Sequence, residues 1–394
     1  VGSSVSAYAT KTQLMTEFTS DSNGNATNIR KLVFGKSSSG TAQQWYILGK
    51  DNGVPGDNTI IFAASPIATG QKFEDEWQNN KTDSSLWSDC NYNSVSITEV
   101  YPNHYGASDL RVALKTMATD TSYFTTAEQG LMNPTTVTTK DTNNSVTYTT
   151  TDKLYALAAD GCGSSYKTIK AGSGDSTVLA MNSYCSSGVW FWLRSPFVNY
   201  ETSASLACPE DCVNFIGVYN VSAVQPASNL NLSSVLFASA ATAASSGTAE
   251  MIASGTAMAL RLDGTGKDIG TVTYNNTTGV IKAVRGSTLQ TVALVVQGND
   301  GTNDWYYSKK ITETETVNVS AIEAETNTPS SIDLSDCKIW LEITDTDGLI
   351  YAAGATATTI TDITSVAITG IDTPVSNTAL DTEASCATTG VSST

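Results

Sequence analysis

The chain has 394 residues, enough for two or three domains with separate cores. Only 15% of its residues are charged, the net charge is -17, and its 21 Lys and Arg are scattered, which excludes a nucleic-acid surface built on clustered bases. No run of about 18 apolar residues occurs, which excludes a transmembrane helix, and abundant Thr, Ser and Val favour strands over helices.

The chain begins with Val1, which fits a mature secreted chain or a trimmed one. Residues 1–235 have an irregular, aromatic-rich texture. Strands are predicted at 31–34, 45–48 and 58–64. Trp77 and Trp87 follow in a polar stretch. Exposed, their rings would stack on sugars; buried, they would pin a long loop to the core. They are the candidate ligand-contact residues. His104, the only histidine, reads as a polar loop residue, because no nucleophile motif accompanies it. A helix is predicted from Ser108, a plausible N-cap. Thr125 and Glu128 have the spacing of a capping box at a second helix.

The run Trp190-Phe191-Trp192-Leu193-Arg194-Ser195-Pro196 is the most informative segment. Alternation places Trp190 and Trp192 on one face of a central, covered strand, Arg194 ends it, and Pro196 stops it. The seven cysteines are an odd number. Cys208 and Cys212 can close a small disulfide loop, a better reading than two zinc thiolates without a second pair.

Residues 236–254, largely Ala, Ser, Gly and Thr, read as a linker or as a surface strand with small side chains. Strands are then predicted at 258–262, 270–274, 280–284, 292–296, 305–309, 317–321 and 338–343. This is the rhythm of an antiparallel immunoglobulin-like sandwich over residues 255–358, with Trp340 and Leu294 in its core. In the remainder, 359–394, Val366, Ile368 and Ile371 offer an alternating apolar edge, and two strands cannot bury a core alone. These residues are expected to connect the chain to a sheet edge, its own or a neighbour's. Calcium is a further candidate at residues 21–25 and at Asp345-Thr346-Asp347-Gly348. Each segment lacks the remaining ligands of a full site, and hairpin turns account for both. No cofactor is expected.

Several segments of the first region resemble an uncharacterised family of extracellular domains from Firmicutes. They are Tyr105-Gly106-Ala107-Ser108-Asp109-Leu110-Arg111, Tyr123-Phe124-Thr125-Thr126-Ala127-Glu128-Gln129, Thr150-Thr151-Asp152-Lys153-Leu154-Tyr155, the Trp190–Pro196 block and Val224-Gln225-Pro226-Ala227. The likeness covers roughly residues 40–235, and Gln225 stands where the family usually has Arg. It implies a C-type-lectin-like, or formylglycine-generating-enzyme-like, fold of mixed α/β character. The sandwich resembles modules that accompany the family, and the tail the opening of a bacterial immunoglobulin-like repeat. The surroundings of Cys208 and Cys212 do not match the copper cysteines of the formylglycine-generating enzymes. The sequence therefore reads as a multidomain, β-rich extracellular surface protein without enzymatic activity. Its expected partners are copies of itself in a polymer, or glycans and proteins of a host or the environment.

Overall fold

The computed structural model describes residues 6–16, 26–27, 29–159, 161, 165–185, 188–208, 212–242 and 246–353. The chain is strand-rich and forms two compact units. Among the described residues, one comprises residues 14–233; the other combines residues 6–13 with residues 234–353.

In the first unit, one sheet runs in the order Arg30–Lys36, Ala42–Gly49, Asn58–Ala63, Ala227–Asn231 and Met132–Asn133. A second runs Cys212–Gly217, Ser203–Cys208, Phe191–Pro196, Val221–Val224 and Ala68–Lys72. Phe62, Tyr155, Leu157, Ile169, Phe191 and Leu193 are fully buried in one cluster. Apolar runs such as Asn58–Ala63 are buried along their whole length, so they lack the alternation of half-exposed strands. The helix Asp109–Met117 opens on Ser108, whose Oγ accepts from Arg111 N at 3.1 Å. The helix Thr126–Leu131 opens on a capping box: Glu128 N donates to Thr125 Oγ1 and Thr125 N to Glu128 Oε2.

The second unit is β-rich and sandwich-like, as expected, but its larger sheet is not purely antiparallel. Its eight-stranded sheet begins at Tyr8–Thr10, a strand from the start of the chain, which pairs antiparallel with Val235–Ser239. The order continues through Ala259–Asp263, Ile350–Ala352, Lys338–Thr344, Val292–Asn299, Asp304–Ile311 and Thr248–Ile252. Ala259–Asp263 and Ile350–Ala352 run parallel, so the sheet is mixed. The Ala/Ser-rich stretch contributes two strands and is not a linker. Ala238 and Ser239 are fully buried, since small side chains admit close packing of neighbouring layers. Part of segment 317–321 forms a short helix, Val319–Glu323.

The sheet curls. Four strand spacings separate Tyr8 from Trp340, about 19 Å in a flat sheet. Their ring centroids lie 6.5 Å apart, and Phe237 lies 5.0 Å from Trp340. Leu294 packs on the opposite face with Leu341 and the sheet Gly270–Asn275, Val280–Arg285 and Thr314–Asn318. Trp340 and Leu294 are thus both core residues, in different cores. Alternation explains this, because Val295, not Leu294, is the register partner of Trp340.

Candidate functional site

The loop 75–80 leaves the sheet after Ala68–Lys72 and is closed at its base by Glu74 and Lys81. Their side chains form an ion pair and are only 2% and 9% exposed. Glu74 Oε1 also accepts from Glu76 N at 3.0 Å, and Lys81 Nζ donates to Ala107 O at 2.7 Å. Lys81 and Val100 exchange two backbone hydrogen bonds. Burial raises the Glu74 carboxyl above its usual range, against the lowering pull of Lys81. An irregular loop is therefore held at its neck by a buried charge pair.

This neck sets the position of Trp77. Phe73 N and Glu74 N both donate to Val218 O, which brings the loop beside the turn that carries Tyr219. The Trp77 and Tyr219 rings lie 4.7 Å apart, tilted by 40°. Gly217 makes room for this: a Cβ there would meet Tyr219 Cε1 at 2.6 Å. Trp77 is half-buried and Tyr219 is 43% exposed.

Trp77 lines an open cleft of about 510 Å³ with Glu76, Gln78, Asn79, Asn80 and Leu86 among its walls. Asp75 pairs with Lys72 at 2.5 Å, and Asp83 accepts from Ser85 N at 3.0 Å as the cap of a short 3-10 turn. The Asp83 carboxyl is held below its usual range by hydrogen bonds from Ser85. Among the described residues, no side-chain hydrogen bond occupies Glu76, Gln78, Asn79 or Asn80. The cleft combines an aromatic face with amide and carboxylate groups that remain available.

Trp87, the other predicted contact residue, is buried with Tyr92, Val100 and Tyr148. Its apolar ring is more favourably placed there than in the polar loop, and it is a loop anchor. Trp190 also differs from expectation. It precedes the strand Phe191–Pro196 and is 38% exposed, while its carbonyl accepts from Ala223 N. Trp192 is buried, donates Nε1–H to Gln71 O at 2.8 Å and meets Phe73 edge-on at 5.5 Å. Arg194 lies inside the strand and is fully buried. It donates to Ala156 O at 2.8 Å and Thr138 O at 3.3 Å, and pairs with Asp175.

Cys212 is disulfide-bonded, and Cys208 is its cross-strand register partner. Gln225, where the resemblance leads one to expect Arg, is buried and donates to Ala63 O at 2.8 Å. Asp345 pairs with Lys267 and accepts from Gln290, while Asp347 accepts from Leu349 N and Tyr351 OH. These carboxylates serve a turn. The other calcium candidate, residues 21–25, and Val366, Ile368 and Ile371 lie outside the described residues.

Sequence reasoning did not foresee the network around His104. The ring is buried and stacks on Tyr148 at 4.2 Å. Its Nδ1 accepts from Ala107 N at 3.1 Å, which leaves the proton on Nε2. Nε2 lies 2.5 Å from Tyr92 OH, which donates to Asp141 Oδ2 at 2.8 Å. Burial lowers the imidazole to about 4, with Asp141 opposing. Beside it, Arg111 bridges Asp152 and Asp89 and donates to Gly106 O. Burial acts to raise the Asp89 carboxyl, but Arg111 and Lys115 outweigh it and hold the group at about 2. A second cleft, of about 540 Å³, has Lys140, Tyr166, Phe197 and Asn199 in its lining, and Phe197 stacks on Phe215 at 3.8 Å.

Residues 72–232 match the model of a family described as a domain of unknown function, DUF6273. That segment carries the Glu74–Lys81 neck, Trp77 and Tyr219. No curated protein and no solved structure matches the chain.

Proposed function

We propose that the protein is a non-enzymatic, extracellular adhesive protein of the cell surface. The observation that carries this reading is the Trp77 cleft. Elsewhere in the first unit, prominent polar groups are spent on internal pairs: His104 on Tyr92 and Ala107, Arg111 on two carboxylates, Arg194 on carbonyls and Asp175. At the cleft an aromatic ring and uncommitted amides face solvent together. That combination suits a carbohydrate, whose ring C–H groups stack on an aromatic face while its hydroxyls take amide and carboxylate partners. The lectin-like reading of residues 40–235 is consistent with two short helices set among strands and long loops. Binding to a glycan array, lost in a Trp77→Ala variant, tests the proposal. An array without signal, or an identical profile from the variant, would count against it.

A second reading is a structural subunit that polymerises by strand addition. It is favoured by the strand Thr248–Ile252, which ends the eight-stranded sheet with Met251 exposed. On this reading the tail with Val366, Ile368 and Ile371 supplies the added strand. Deleting residues 363–394 is expected to leave both units folded and abolish polymers seen by negative-stain microscopy. Polymers that survive the deletion would remove the tail from assembly.

A further inference from the structure

We infer that the Trp77 cleft selects its sugars by charge, taking uncharged and amino-bearing pyranosides and rejecting those that carry carboxylate or sulfate. The inference rests on the adhesive reading above and adds the class of ligand.

Three observations combine. First, the basic side chain in the lining is not available to an anion. Lys81 Nζ is held by Glu74 and Ala107 O at the neck and is 9% exposed. Lys72, nearby, is paired with Asp75. Second, the acidic groups are only partly answered. Glu76 is exposed and makes no side-chain bond among the described residues. Asp83 is satisfied by neutral donors from Ser85, which leave its charge uncompensated. An anionic sugar entering this cleft would meet the like charges of Glu76 and Asp83, while among the described residues Lys81 and Lys72 already face carboxylates. Third, the remaining lining is neutral and matched to hydroxyls. Gln78, Asn79 and Asn80 each offer a carbonyl acceptor and an NH₂ donor, the pairing that a vicinal diol needs.

Trp77 supplies the stacking surface in the cleft, and Tyr219 packs against its ring at 4.7 Å from outside the lining. Tyr219 is backed by Gly217, where any side chain would displace the ring. The Trp77 ring is thus held by Tyr219 on one side and carried on a loop closed by the Glu74–Lys81 neck. The charge selection is a separate property of the lining: the Glu76 side chain carries it, while only its backbone N–H meets Glu74 at the neck.

The test uses the full chain and three hexasaccharides in isothermal titration: chitohexaose, the glucosamine hexamer and hyaluronan hexamer. The expected result is binding of the first two, with hyaluronan weaker by roughly tenfold or more at low salt. Raising salt to about 0.5 M should narrow the gap, because the discrimination is Coulombic. Glu76→Lys should strengthen hyaluronan binding by roughly tenfold and leave chitohexaose within about twofold. Trp77→Ala should weaken all ligands together. Hyaluronan that binds as well as chitohexaose to the native chain would overturn the charge selection and leave the adhesive reading intact. An unchanged hyaluronan affinity in Glu76→Lys would overturn Glu76 as its source. Absence of binding by all three, alongside an array without signal, would overturn both.

Discussion

The neck of the cleft offers the sharpest test of how the fold holds its loops. Lys81→Met removes one partner of a pair whose side chains are 9% and 2% exposed and leaves the Glu74 carboxylate with one donor, Glu76 N. Removing one member of a buried pair costs about 3–5 kcal/mol, because the remaining charge keeps its desolvation penalty without its counter-ion. The loss has a pH signature. Burial already raises Glu74 in the folded chain, and without Lys81 nothing comparable opposes that rise. A carboxyl raised by folding contributes stability below its unfolded value, and that contribution is lost as pH rises through its folded one. The Lys81→Met deficit should therefore be largest near pH 7 and shrink as pH falls and Glu74 takes up a proton. Adding Glu74→Gln should restore much of the loss at pH 7 and flatten the dependence. Urea unfolding of the native chain, both single variants and the double variant, from pH 4 to 8, measures all of this. A Lys81→Met cost below about 1 kcal/mol at pH 7, with no pH dependence, would refute the account of a buried, unanswered carboxylate.

Two further outcomes concern His104 and the tryptophans of the Trp190–Pro196 block. His104 stays neutral in the fold down to about 4, whereas an unfolded imidazole protonates near 6.5. Stability should thus fall by about 3 kcal/mol as pH drops from 6.5 to 4, and that slope should flatten in His104→Gln, checked by unfolding at each pH. Trp192→Ala should cost about 3–5 kcal/mol by urea unfolding, while Trp190→Ala should cost under about 0.5 kcal/mol; equal losses would show that both rings are in the core.

The sequence was most legible where structure is local. The Ser108 cap and the Thr125–Glu128 box depend on residues three apart, and both stand as read. The apolar run Phe191–Pro196 announced a buried strand, but its first residue decides whether Trp190 is inside or outside. One position of uncertainty in a strand end therefore reversed the fate of a tryptophan. Small side chains were misleading in another way. Ala238 and Ser239 carry little hydrophobic signal of their own, and their burial follows from the layer that closes over them. The strand Tyr8–Thr10 and the Trp77–Tyr219 pair join residues remote in sequence, and only the topology brings them together. Of the candidate site, Trp77 was legible as an aromatic in a polar loop. Tyr219 had no comparable signal except Gly217 two positions before it.

A feature common to both units is the use of arginine indoors. The chain has five arginines, and Arg111, Arg194 and Arg261 are buried. Each spends part of its planar fork on backbone carbonyls. Arg261 donates to Ser239 O and Ala241 O while it pairs with Glu342, and Arg194 donates to Ala156 O and Thr138 O. These carbonyls lie in strands as well as in loops, and five fixed donors on one side chain answer several of them at once. Arg194→Lys separates this role from simple charge. Lysine keeps the charge beside Asp175, whose side chain is 29% exposed and can be rehydrated. It does not reproduce the guanidinium fork, so one or both carbonyls lose their donor, at about 1–3 kcal/mol each. The expected cost is about 2–4 kcal/mol by urea unfolding, accompanied by faster amide exchange in the hairpin Thr135–Asp141 and Val146–Asp152, where Thr138 lies. An Arg194→Lys variant within about 0.5 kcal/mol of the native chain, with unchanged exchange, would mean that charge alone is required and that the carbonyls find other donors.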